Sequence, residues 1–484
     1  MKKRRLWILA FALAAMLIAA SCAHSASGPI VSSSDSPELK ILPPTGPWSI
    51  AEIDGSLGEA FRLYAKAGGL RGDVRAQFVA EIREELRNLG AGVASGSAVS
   101  EKITYVTQYA CENGSRKTWE LSGIVFLPIR SAEGKLSAPI VSIQHGTQVN
   151  RNNAPSRFEP NPHTALRNPL RPEADEALLN YLECSMGASL AASGYIVVMP
   201  DYPGFGDNAD IHPYVHGSLG DCVRDAILQT IELTKADRWK DRLSWNGRLY
   251  LTGYSEGGYA TMVGAKSLAS MTVGKIPVTA AIPCDGAYDL SGTMTTRILA
   301  RKAEFNPHYI PFTFMSYNAI YGDSIFRSSS PFKERYAARI PRLFDGNHWT
   351  FQMSAVIPRA GLFSHRYVAC DVLDSETIED LGDPSSMVFK AIRENDAFRG
   401  WKPDFPMRIV HCEKDDVVPV ENAIVAYRAF GGPEAANVEL IYVEPVDFAA
   451  GSADIHTRAF STAMFDGFSY ITRIESMLAK SDQP

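Results

Sequence analysis

Arg248-Leu249-Tyr250-Leu251-Thr252 runs directly into Gly253-Tyr254-Ser255-Glu256-Gly257-Gly258. The first five residues read as a short strand and residues 257–270 as a helix, so G-x-S-x-G occupies a strand-to-helix turn. A turn this tight leaves no room for a Cβ at either flanking position, which is a physical reason for Gly253 and Gly257. The serine between them would sit in strained backbone with its hydroxyl presented above the sheet edge. The helix beginning beneath it favours negative charge that develops there.

Outward from this turn the chain alternates. Upstream, strands are expected at 103–110, 119–127, 140–144 and 195–199, with helices near 175–193 and 218–236. Downstream, a strand at 278–282 is followed by an irregular, aromatic- and Pro-rich stretch over 291–406. The alternation then resumes with a strand at 407–412, a helix at 420–430, a strand at 438–443 and a terminal helix at 457–478. Short apolar, partly β-branched runs between helices imply a mostly parallel sheet covered on both faces. Two βα units after Ser255 need roughly 60 residues, yet Asp415 lies 160 positions on (415 − 255). The excess predicts a cap inserted between the sixth and seventh core strands.

Ahead of the sheet, residues 56–93 read as two helical pieces parted by Gly68, Gly69 and Gly72, the second with Phe78, Ile82, Leu86 and Leu89 at helical spacing. The expected divisions are a signal segment 1–22, a tether 23–55, a helical extension 56–100, core 101–290, cap 291–406 and core 407–484. No internal repeat is visible.

Composition excludes more than it selects. The 484 residues are 45% hydrophobic, 21% charged and 10% aromatic, an ordinary globular balance, and a net charge of −6 provides no footprint for nucleic acid. Lys2, Lys3, Arg4 and Arg5 precede an apolar run to Ala20, a secretory signal pattern rather than a membrane span. Ala19-Ala20-Ser21-Cys22 resembles the bacterial lipobox, which implies lipid on Cys22; plain signal cleavage with Cys22 incidental is the alternative. Residues 23–45, rich in Ser, Pro and Ala, suit a tether. Besides Cys22 there are six cysteines: Cys111, Cys184, Cys222, Cys284, Cys370 and Cys412. An even number in an oxidising compartment permits disulfides, with buried free thiols as the alternative, and the spacing fits no zinc pattern.

A serine hydroxyl is a weak nucleophile until a base takes its proton, so a histidine and an orienting carboxylate are needed. Asp415 stands directly after a strand, in His411-Cys412-Glu413-Lys414-Asp415-Asp416-Val417-Val418-Pro419, with Asp416 as the alternative. His456, in Ala453-Asp454-Ile455-His456-Thr457, is the one histidine after Asp415. Acyl transfer also places negative charge on a carbonyl oxygen, and backbone N–H groups must already point there. The candidates are Glu256, which follows the serine, and Thr147 in His145-Gly146-Thr147 after the third strand, with Gln148 second. His145 precedes the serine and is read as holding that loop's shape.

From about residue 103 to the end these segments resemble the α/β-hydrolase superfamily. Gln144-His145-Gly146-Thr147, Pro200-Asp201-Tyr202-Pro203-Gly204-Phe205-Gly206-Asp207 and His212-Pro213-Tyr214 look like the secretory-lipase-like branch of bacterial and fungal esterases. The resemblance implies an α/β-hydrolase fold with a large cap. It implies Ser255 as nucleophile, His456 as base, Asp415 as its acid, and hydrolysis of small-molecule or lipid carboxylic esters without metal or organic cofactor. Two other readings stay open: a serine peptidase or acylaminoacyl-amide hydrolase on the same fold, and a non-catalytic envelope-binding protein. His212-Pro213-Tyr214 is read as structural, with Pro stiffening the loop and Tyr214 packing. The aromatic and Met residues of the cap (Phe305, His308, Tyr309, Phe312, Phe314, Met315, Tyr317, Tyr321, Phe326, Trp349, Phe351 and Met353) serve either its own core or an apolar acyl pocket. The expected location is the bacterial cell envelope, anchored by lipid to a membrane, with Ala23 after the lipobox resembling outer-membrane sorting; secretion is the alternative.

Overall fold

The computed structural model describes residues 45–49, six positions between 52 and 62, and segments 96–110, 116–129, 134–158, 174–304, 306–357, 366–446 and 454–481. The signal segment, Cys22, most of the tether and of the helical extension, Cys111 and Phe305 lie outside the described residues.

The strands form one nine-stranded sheet and a two-stranded ribbon. They are β1 (Thr45–Ser49), β2 (Ser97–Ala110), β3 (Arg116–Ile129), β4 (Leu136–Gln144), β5 (Ile196–Pro200), β6 (Leu243–Tyr254), β7 (Ala280–Cys284), β8 (Ala303–Glu304), β9 (Tyr367–Val368), β10 (Met407–Cys412) and β11 (Val438–Val443). The sheet order is β1-β2-β3-β5-β4-β6-β7-β10-β11. Pairing is antiparallel from β1 to β5 and parallel from β5 to β11. Burial follows position: β5 and β7, deep in the sheet, are buried at every residue, whereas the outer half of β2 alternates buried and exposed.

The main helices are α1 (Ala174–Ala192), α2 (Ser218–Lys235), α3 (Glu256–Ala269), α4 (Thr295–Leu299), α5 (Tyr309–Tyr321), α6 (Thr350–Val356), α7 (Ser375–Gly382), α8 (Met387–Glu394), α9 (Glu421–Ala429) and α10 (Ile455–Ser481). Two hydrophobic layers result. One gathers α2, α3, α9 and the inserted segment, and the other gathers α1 and α10. Among the described residues no helix is long and apolar enough to cross a membrane.

The structure departs from the expectations in four places. Thr45–Ser49, placed in the tether, pairs with β2 as an edge strand, where Pro47 can sit because an edge amide needs no partner. Ile53, placed in the tether, buries in the α1–α10 layer beside Phe61 of the expected helical extension, so the end of the tether joins the fold through apolar contacts. β2 begins at Ser97, inside the Gly/Ser-rich break, because β3 pairs with it without interruption from Ser97↔Ile129 to Ala110↔Arg116. The inserted segment, read as irregular, holds α4 to α8 and the β8–β9 ribbon. Its helices are short, from 4 to 13 residues, too short to hold alone, so tertiary packing stabilises them. Cys184, Cys222, Cys284, Cys370 and Cys412 follow the alternative reading of the cysteines: they are free and buried, packing as small apolar groups.

Candidate active site

Ser255 lies between β6 and α3 with φ 60 and ψ −119, a conformation that L-residues rarely hold. Its N–H donates to Cys284 O at 2.9 Å, which ties the turn to the end of β7. The flanking glycines show how little space remains. A Cβ on Gly253 would stand 2.5 Å from Gln144 O, and one on Gly257 2.0 Å from the same atom. Gly258, not singled out in the sequence, faces the other neighbour, where a Cβ would lie 2.1 Å from Cys284 O. The start of α3 is therefore wedged between the ends of β4 and β7, which leaves the serine hydroxyl at the sheet's C-terminal edge.

Asp415 and His456 come together across 41 positions of chain: His456 Nδ1–H donates to Asp415 Oδ2 at 2.5 Å. The other carboxylate oxygen accepts the N–H groups of Val417 and Val418, both at 2.8 Å. Burial opposes charge on Asp415, but the His456 charge and hydrogen bond hold its carboxyl below the usual range. Burial likewise opposes charge on His456, yet the adjoining Asp415 carboxylate outweighs it and the imidazole is pushed up to about 9. His456 Nε2 is buried with no partner of its own. The arrangement leaves a ring nitrogen available for a proton and a carboxylate ready to face the resulting cation.

Asp416, the alternative acid, takes a different position. Its Oδ1 accepts the Ile455 N–H at 2.9 Å and the His456 N–H at 3.4 Å, capping α10. Tyr254, inside the turn motif, adds a third restraint: its hydroxyl donates to His456 O at 2.6 Å. Imidazole, backbone amide and backbone carbonyl of His456 are thus each held from a separate direction.

The loop after β4 is shaped from below. His145 is fully buried, stacks on Tyr202 with ring centroids 4.2 Å apart, and donates from Nδ1 to Gly146 O at 2.8 Å. Burial drives its pKa down to about 3, so it is a neutral prop for the loop. The Gly146 N–H donates to Glu183 Oε1 at 2.9 Å. Among the described residues the amides of Thr147 and Glu256 donate to no protein acceptor. Gln148 is buried, and its Oε1 accepts from Asn153 Nδ2 at 3.2 Å.

Sequence reasoning missed Glu183. Burial pushes its carboxyl up to about 8, and the single charged residue in the otherwise uncharged stretch 177–192 of α1 was the available signal. His212, in the segment read as structural, places its Nε2 2.5 Å from Glu256 Oε1 beneath the turn. Tyr214 packs as expected, stacked on Phe312 at 4.9 Å, and lines a cavity as well.

Ser255 borders two spaces. A cleft of about 430 Å³ is lined by Gly146, Thr147, Gln148, Glu183, Tyr254 and His456 among others. A cavity of about 840 Å³, walled mainly by apolar residues such as Leu290, Met294, Ile298, Phe314, Leu381 and Val417, runs between core and inserted segment. The cap aromatics serve both ends: Phe314 and Tyr317 belong to the hydrophobic core and also line this cavity, Tyr309 lines it from the edge of that core, and Phe312, Phe326 and Met353 fill the core alone.

Sheet order, helix placement and the strained serine turn together define the α/β-hydrolase fold, and solved structures share it. A Legionella pneumophila protein whose own assignment as a hydrolase is provisional is 24% identical, with a TM-score of 0.63 over 81% of this chain and 94% of that one. The rice cell wall degrading esterase LipA of Xanthomonas oryzae is 20% identical, with a TM-score of 0.59 over 82% and 95%. Candida antarctica lipase A in its closed state is 16% identical, with a TM-score of 0.50 over 74% of each chain. No protein-family model and no curated protein matches the sequence.

Proposed function

We propose that the chain is a serine hydrolase of carboxylic esters that works through an acyl-enzyme. The observation that carries this reading is the convergence of strained Ser255 and Asp415-bonded His456 on one cleft, beside the uncommitted amide of Thr147. In the proposed reaction, Ser255 Oγ attacks the ester carbonyl carbon and its proton passes to His456 Nε2. Asp415 stabilises the imidazolium that forms. The Thr147 and Glu256 N–H groups hold the oxyanion, each such donor contributing about 3 kcal/mol of transition-state stabilisation. Collapse expels the alcohol, which takes the proton from His456. Water, deprotonated by His456, then attacks the acyl-enzyme, and the acid leaves as Ser255 recovers its proton.

The two spaces suit the two halves of an ester. The apolar cavity would receive the acyl chain and the smaller cleft the alcohol. The names of two structural neighbours, an esterase and a lipase, favour esters over amides. The test is Ser255→Ala assayed with p-nitrophenyl esters. Turnover should fall by at least ~10⁴-fold with the circular dichroism spectrum unchanged, and full retained turnover would remove Ser255 from the mechanism.

A further inference from the structure

Asp285 is the residue that follows β7, and it belongs to none of the roles above. It has φ 46, in the left-handed region that non-glycine residues rarely adopt. Its side chain is fully buried. Asp285 N–H donates to Val410 O at 3.0 Å, and Asp285 Oδ1 accepts the Cys412 N–H at 2.8 Å, so the residue bridges the ends of β7 and β10. Its Oδ2 is buried without a partner. One polar atom from each of Asp285, Asp415 and His456 lies within 4.8 Å of the other two.

The charged surroundings of Asp285 are few. β10 presents His411 and Cys412, and the acid loop presents Asp415. His411 Nε2 is 3.8 Å from Asp285 Oδ1, but its N–H donates to Val418 O at 2.9 Å and burial lowers its pKa. From α10 comes His456, and from β7 and its continuation come Cys284 and Tyr288, both driven toward their neutral forms by burial. Asp416 and Asp454 are engaged with the first amides of α10. Among the described residues Asp285 has no Lys or Arg at ion-pair distance.

Two carboxylates so close in a dry site cannot both ionise, because their repulsion adds to the cost of desolvation. Asp415 holds the stronger claim to the charge, with the imidazole and two N–H groups against a single N–H for Asp285. We propose that Asp285 is a positioning residue for His456: it shares one negative charge with Asp415, keeps its proton while Asp415 is ionised, and takes the charge when Asp415 cannot. The proposal rests on the Ser255–His456–Asp415 reading. It gives the imidazole two carboxyls, one from the end of β7 and one from the loop after β10, of which one at a time is an anion. No bond to substrate is involved, and the proton taken from Ser255 still resides on His456.

The test compares wild type, Asp285→Asn, Asp415→Asn and the double variant, with kcat and kcat/KM for p-nitrophenyl butyrate measured against pH. Asn at 285 retains an acceptor for Cys412 N–H, and circular dichroism checks folding. In Asp415→Asn the residual rate should rise along an acidic limb set by ionisation of Asp285. Adding Asp285→Asn should then remove at least a further tenfold and abolish that limb. Equal rates and equal pH profiles for Asp415→Asn and the double variant would overturn the proposal. Should the Asp415 variants fail to fold, NMR titration of His456 in wild type and Asp285→Asn decides instead. Midpoints within about half a unit of each other fit a neutral Asp285, whereas a drop of more than about one unit on substitution would mean a full charge was removed. Loss of the underlying reading is a separate result, seen as undiminished turnover by Ser255→Ala.

Discussion

Ser255 keeps its left-handed backbone because each neighbour removes an alternative. Gly253 and Gly257 stand where a Cβ would meet Gln144 O, and the Ser255 N–H is fastened to Cys284 O. His456 has the opposite economy, since nothing local prepares it and three distant groups hold it. Its raised pKa has two consequences of definite sign. A base must be neutral to accept the serine proton, so the acidic limb of kcat/KM should lie above 6.5 and approach about 9. A limb below pH 6.5 in a pH–rate profile would contradict this placement. The stability contributed by the charged imidazole is fully present below about pH 6.5, the unfolded value. It is lost as pH rises through about 9. Urea midpoints measured across that window should fall in step.

At the scale of elements, Asp415 and Asp416 look interchangeable as letters and serve different partners. Asp415 reaches the imidazole, while Asp416 receives the first amides of α10 and so sets where His456 begins its helix. Asp416→Ala should cost about 1 kcal/mol of stability as a lost helix cap. It should also lower kcat while KM changes little, because the carbonyl clamp from Tyr254 and the bond to Asp415 remain. Chemical denaturation and steady-state kinetics on the same preparation check both halves. Most strands and helices were legible before the structure because buried parallel strands and amphipathic helices carry period and length in their own residues. The bounds of β10 and β11 were read as they stand. Thr45–Ser49 was not, since an edge strand with a proline has weak internal pattern and is defined by β2 beside it. The helices of the inserted segment were missed because pieces of 13 residues or fewer hold too few turns for a period to stand out.

At the scale of the whole molecule, the insertion between β7 and β10 closes the apolar cavity over Ser255. Thr313, on α5, lines that cavity and is half-buried, so it can be enlarged without disrupting the fully buried core. Thr313→Trp should reduce kcat/KM for p-nitrophenyl octanoate by at least ~10-fold relative to the acetate. An unchanged preference across an ester series of rising chain length would move the acyl group elsewhere. By itself the sequence determined the order of the elements, the glycine-flanked serine turn, and a chain order that left Asp415 or Asp416 and then His456 to complete the site. These are properties of residues near one another along the chain, where period, steric need and order are written directly. Only the tertiary structure decided that Asp415 rather than Asp416 holds the imidazole, that Asp285 lies beside Asp415 and His456, and that Glu183 takes the Gly146 N–H. Those contacts join residues 41, 37 and, for Asp285 and Asp415, 130 positions apart (415 − 285), and their distances follow from how β4, β7 and β10 end together at one edge of the sheet.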